Sequence, residues 1–241
     1  MRSKRYSEST IITYSEALKS FLSYFAYKPL ADITNDDVIL FNNEFIVKLK
    51  LSASYQNQIV NAIKLFFAQI QNATLNPELV HGPKKYNPLP KILAEAEVAV
   101  IINALENIKH KCMLCLTYSA GLSRSELLKM KIGDIDSQRM QLQIRKAKGG
   151  KDRVTPLSET VLQLLREYYK IYHPKDYLFE GHKGEQYSER SLALVLKKAC
   201  EKAGIKKQVK LHILRHSYAT NLFECGTDLR YIQVLFGFKC S

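Results

Sequence analysis

Two histidines and an arginine fall within five residues at His212-Ile213-Leu214-Arg215-His216. In a helix, His212 and Arg215 stand three apart and share a face, while Leu211, Leu214, Tyr218 and Leu222 make an apolar stripe beside it. A guanidinium offers a planar fork of donors, and an imidazole moves a proton near neutral pH, so the pair suits a phosphate oxygen. Such a pair is also found on ordinary exposed helix faces and in salt bridges, so its surroundings decide. A second basic group lies in Lys146-Ala147-Lys148-Gly149-Gly150-Lys151-Asp152-Arg153, a glycine-centred turn with four basic side chains. A third feature, Ser123-x-x-Glu126 after Gly121, fits a capping box in which serine and glutamate satisfy free N–H groups at a helix start.

The elements that must position these residues are mostly helical. Residues 6–28 read as a first helix with Ile11, Tyr14, Leu18, Phe21, Leu22 and Phe25 at helical spacing. A second runs through Val38, Phe41, Phe45 and Leu49, and a third through Ile59, Ile63, Phe66, Phe67 and Ile70. His81-Gly-Pro83 to Pro90 carries three prolines, a glycine and no period, so it reads as a linker. Beyond it, helices are expected at about 94–107 and 109–120, and another opening at Ser123. The period then drops to two. Met140, Leu142 and Ile144 form a half-buried strand, the basic turn follows, and Val154–Leu157 returns. Helices resume at about 158–170 and 188–203, from about 212, and from near Asp228. The expected fold class is mainly α with a small antiparallel β-sheet (α+β), divided as a helical bundle 1–82, a linker 83–90 and a larger domain 91–241.

Composition narrows the function. Lys and Arg number 36 against 23 Asp and Glu, a net charge of +13, which points to a polyanionic partner, with nucleic acid the leading candidate. Residues 1–90 hold 10 basic and 7 acidic side chains and the remainder 26 and 16, so the bias lies mainly in the second part. No apolar run approaches a membrane span and the start MRSKRYSEST lacks a signal-peptide core, so no membrane partner and a cytoplasmic location are expected. Cys112 and Cys115 sit in an apolar run with no second half of a metal site and read as core thiols. No metal and no cofactor is expected.

Ala120-Gly121-Leu122-Ser123-Arg124-Ser125-Glu126-Leu127, Lys148-Gly149-Gly150-Lys151-Asp152-Arg153, His212-x-x-Arg215-His216 and the segment Gly226–Gln233 before Leu235-Phe236-Gly237 occur in a specific order. Together they resemble the tyrosine recombinase (phage integrase) family, over essentially the whole chain. The resemblance implies a core-binding (SAM-like) domain followed by a catalytic domain, acting in site-specific recombination and DNA integration. In that family a tyrosine hydroxyl attacks a phosphodiester, giving a 3′-phosphotyrosyl link later resolved by a 5′-hydroxyl. Carried over residue by residue, Lys148 would protonate the leaving 5′-oxygen, His212 would exchange protons near the phosphate, and Arg215 would clamp its non-bridging oxygens. Lys151, Arg153 and His216 would support nearby phosphates or structure, or stand as solvated charge.

The chain departs from the family at three places. Ser123 stands where the family places its first arginine. Arg124, one residue on and turned by about 100° around the helix, is either a DNA contact or an exposed helix arginine. Phe238 keeps a ring where the family has a His or Trp donor. The nucleophilic tyrosine would fall about nine residues past Phe238, beyond Ser241, so the chain as read is expected to bind double-stranded DNA without forming a covalent adduct. The C-terminal segment that family members exchange within their tetramer would also lie there, so self-association on DNA is expected to be weakened. A helical transcription regulator with the 212–216 helix in a major groove is the alternative; it explains the charge and helicity but leaves the Lys148 hairpin unexplained.

Overall fold

The computed structural model describes residues 6–69, 75–83, 91–145 and 152–237. The chain forms two compact units, Met1–Pro88 and Leu89–Ser241.

In the first unit, α1 (Glu8–Tyr24) starts at Ser7, whose side chain accepts from the Thr10 N–H. Helix α2 (Asn35–Phe41) opens on a capping box of Thr34 and Asp37, and α3 (Ala53–Phe67) on a Ser52 cap. These caps satisfy N–H groups that a helix start leaves unpaired. The second helix is not regular to its end, because α2 passes into a π-helical turn at Asn42–Val47. Phe41 and Ile46, five residues apart, are both fully buried, a spacing that the wider π turn brings to one face. Phe21, Phe41 and Phe67 centre the core, with Phe21 edge-on to the other two at 5.2 and 6.4 Å. That is the favoured geometry for aromatic pairs.

The second unit is built around α5 (Ile108–Ser119). Cys112, Met113, Leu114 and Leu116 are fully buried, so past a polar first turn at Lys109-His110-Lys111 the helix runs through the interior. It packs against α4 (Glu95–Asn103), α6 (Arg124–Lys129), α7 (Glu159–Tyr172), α8 (Glu189–Lys202) and α9 (Leu211–Glu224). Burial pushes the Cys112 thiol up to about 12 and the Cys115 thiol to about 11, so both act as packing groups. The buried Ser217 hydroxyl on α9 accepts from the Leu93 N–H and donates to the Ile213 carbonyl, tying the start of this unit to α9.

The antiparallel sheet has three strands in the order β1 (Ile135–Asp136), β2 (Gln141–Ile144) and β3 (Arg153–Pro156). The short β1 was not legible, since two residues carry no period. Met140, placed in the strand by its alternation, precedes it at φ 54° as a turn residue. Helix α10 (Leu229–Phe236) is capped by Asp228 and packs Ile232, Leu235 and Phe236 against Tyr218, Ala219 and Leu222 of α9. Among the described residues no helix is long and apolar enough to cross a membrane.

Candidate phosphate site

The site grows from the turn between α5 and α6. Gly121 takes a left-handed φ of +58°, which reverses the chain and lets Ser123 cap α6. The Ser123 hydroxyl accepts from the Glu126 N–H at 3.3 Å, and the Glu126 carboxylate accepts from the Ser123 N–H at 2.7 Å. The capping box expected from the sequence is therefore present. It also turns the carboxylate inward at the positive end of α6.

Two arginines from distant elements meet that carboxylate. Arg153 of β3 reaches it side-on, with Nε 3.4 Å from Oε1 and Nη2 3.1 Å from Oε2. Arg215 of α9 reaches Oε2 end-on through Nη1 at 3.0 Å. The side chains are 7% (Arg153), 14% (Arg215) and 10% (Glu126) exposed, so the cluster is largely withdrawn from water. Backbone carbonyls take further donors, as buried charge requires. The Gly121 carbonyl accepts from Arg215 Nη1 at 2.6 Å and Arg153 Nη2 at 3.4 Å. Phe236 offers its carbonyl to Arg215 Nη2 at 2.7 Å, and Leu235 offers its own to Arg153 Nη1. The Phe236 ring lies over the Arg215 guanidinium, 4.9 Å from its centroid.

Burial by itself would raise the Glu126 carboxyl, but the Arg153 and Ser123 hydrogen bonds outweigh it and hold the group below its ordinary value. Burial lowers Arg215, and the neighbouring Arg153 charge adds to this while Glu126 opposes it.

His212 and His216 are exposed on α9, their rings edge-on with centroids 5.9 Å apart. Although the residue is exposed overall, partial burial of its ring, then the charges of His212 and Arg215, lowers the proton affinity of His216. Its ring also lines an open apolar groove with Ala219, Phe223, Leu229 and Ile232. Arg124 points elsewhere and pairs with Glu189 at 2.8 Å, both about half exposed. The structure thus does not bring it to the position that Ser123 leaves without an arginine. Surface pairs contribute roughly 0–1 kcal/mol, so Arg124→Ala is expected to shift thermal unfolding by no more than a degree or two, about 0.5 kcal/mol or less. Lys148, Lys151 and Phe238 lie outside the described residues.

Of the sequence-selected residues, Arg215 and Arg153 are brought together and His212 stands on the same helix. Arg153, which the resemblance gave as support for a nearby phosphate or for structure, is turned inward onto Glu126. Glu126 was legible only as a capping residue; its second use, as the hub between two arginines, was missed. The sequence of β3 carried no signal for either. Val154 faces outward at 50% exposure while Thr155 is fully buried, so the strand's polarity is inverted. Residues two apart share a face, and Arg153 and Thr155 both serve the α5–α6 turn. The Thr155 hydroxyl donates to the Ala120 carbonyl at 3.2 Å.

Residues 91–240 match the model of the phage integrase family, and residues 1–76 match that of the phage integrase N-terminal SAM-like domain. The chain is 34% identical over 238 residues to the tyrosine recombinase XerA of Pyrococcus horikoshii, covering 96% of this chain and 79% of that protein. A crystal structure of XerA recombinase superposes with a TM-score of 0.60 at 29% identity, covering all of this chain and 86% of that one. A lambda integrase tetramer bound to a Holliday junction shares the fold, with a TM-score of 0.75 at 20% identity and coverage of 98% and 70%. With both parts of the chain matched in order and the buried arginine–glutamate cluster set in that fold, the chain belongs to the phage integrase, or tyrosine recombinase, family.

Proposed function

We propose that this chain binds duplex DNA in site-specific recombination and that α9 meets a backbone phosphate through Arg215 and His212. The observation that carries this is Arg215. It is a guanidinium held by a carboxylate and two carbonyls, beside an exposed imidazole on the same helix. A cation fixed in advance stabilises charge on a phosphate without reorganising. In the chemistry of the family, Arg215 would hold non-bridging oxygens, His212 would exchange a proton beside them, and Lys148 would protonate the leaving 5′-oxygen. Lys151 and His216 would support neighbouring phosphates. Ser123 supplies no guanidinium, so the phosphate would receive fewer charged donors than in family members with arginine there. Residues 1–82 would act as the core-binding domain, joined through 83–90 to the catalytic-type domain, with copies associating on DNA. The regulator reading is not favoured, because both parts of the chain match recombinase domains and its relatives are recombinases.

The test is duplex binding over a salt series. Each phosphate contact contributes about 0.9 to the slope of log K against log salt. Arg215→Ala and His212→Ala are each expected to weaken binding about tenfold, as loss of a charge-assisted hydrogen bond does. Arg215→Ala should also lower the slope by about 0.9. His212→Ala changes an exposed side chain and serves as the variant that leaves the fold untouched. Unchanged affinity and slope in both would refute the proposal.

A further inference from the structure

Arg153 is the feature that the phosphate reading does not use. It is the less exposed of the two guanidiniums on Glu126, and it comes from β3, an element that carries none of the expected reacting groups. Its geometry differs from that of Arg215. Arg153 lies along the carboxylate with one nitrogen near each oxygen, whereas Arg215 meets a single oxygen through one nitrogen. The side-on, two-point pairing is the stronger and more directional mode for guanidinium and carboxylate. One carboxylate between two guanidiniums also leaves these three groups with one positive charge in total.

Resting on the reading that Arg215 meets a phosphate, we propose that Arg153 is a positioning residue that occupies the Glu126 carboxylate and thereby keeps Arg215 from closing onto it. Without Arg153, the Glu126 carboxylate would be left to Arg215 alone, drawing it into a two-point pair that offsets its charge and shifts it from the position the Gly121 and Phe236 carbonyls hold. Arg153 fixes the opposite side of the cage as well. It holds the Leu235 carbonyl at the end of α10, next to the Phe236 carbonyl that Arg215 holds. Both arginines share the Gly121 carbonyl. On this proposal the strand sets the orientation of Arg215 and the net charge of the cluster without touching the phosphate.

The experiment compares Arg153→Gln and Arg153→Lys in the full chain, each alone and combined with Arg215→Ala, by duplex binding across a salt series. Arg153→Gln is expected to weaken binding about as much as Arg215→Ala and to lower the salt slope by about one contact. In the Arg215→Ala background it should add nothing. Arg153→Lys, which restores a cation opposite Glu126, should recover most of the binding. Additive loss in the double variant, or equal loss in Gln and Lys, would overturn the proposal, since either result means a direct contact or general loosening. A second readout does not depend on DNA: the side-chain nitrogen resonances of Arg215 in ¹⁵N-arginine spectra. They should move in Arg153→Gln and return toward their original positions in Arg153→Lys. Unmoved Arg215 signals in Arg153→Gln sink the positioning role. Moved signals together with unaltered DNA binding by Arg215→Ala uphold it and refute the phosphate reading instead.

Discussion

Replacing Glu126 by alanine is expected to destabilise the second unit by about 3–5 kcal/mol, the scale of breaking a buried ion pair by removing one partner. Arg153 and Arg215 are almost wholly withdrawn from water, and both would lose their carboxylate while staying beside each other. The Ser123 N–H would lose its acceptor too, which weakens the start of α6. Denaturant unfolding would show a large fall in midpoint at little change in slope. A pH series separates the charge from the shape. The Glu126 carboxyl is held below its ordinary value of 4.5, so its contribution is complete above that pH. It is lost as pH falls through the lower folded-state value. Part of the acid destabilisation below about pH 4.5 therefore belongs to this residue, and Glu126→Gln should lose that part. An acid limb unchanged in Glu126→Gln would show that the carboxylate is not the hub described.

Gly121→Ala is expected to cost about 2–5 kcal/mol, combining left-handed backbone strain with overpacking. A β-carbon built there lies 2.7 and 2.8 Å from atoms of the Phe236 ring and 3.3 Å from Tyr218, at a φ of +58°. The ring has nowhere to retreat without disturbing the arginine cluster, because it lies over the Arg215 guanidinium. The Gly121 carbonyl is itself an acceptor for both arginines. The substitution should therefore lower duplex affinity beyond what the lost stability explains, measured at a temperature where the variant remains folded. If stability falls and affinity does not, the turn positions α6 but not Arg215.

Comparison of these residues shows what was readable from the chain. The Ser123–Glu126 capping box needs four residues in sequence, and each contact is local. The same holds for the Ser7 and Ser52 caps and for the helical spacing along α3. Arg124 illustrates the limit. Its one-residue offset from the family position was legible, but its partner Glu189 lies on another helix. The interior role of Arg153 depends on Ile144 pairing with it in the sheet and on the α5–α6 turn lying beneath β3. Neither could be read from a strand whose apolar Val154 suggested the opposite face.

Sequence by itself determined the family, the helical character with one small antiparallel sheet, the basic character, and His212 and Arg215 as neighbours on one helix. Those properties follow from composition, motif order and spacing within single elements. Tertiary structure decided what Arg215 is bound to, that Arg153 faces inward, and that Glu126 serves two arginines. A guanidinium on a basic chain reads the same in sequence whether it faces water or a carboxylate. Its environment is set by the packing of the α5–α6 turn, α6, β3, α9 and α10, whose hydrogen-bonded residues lie as far as 94 positions apart along the chain.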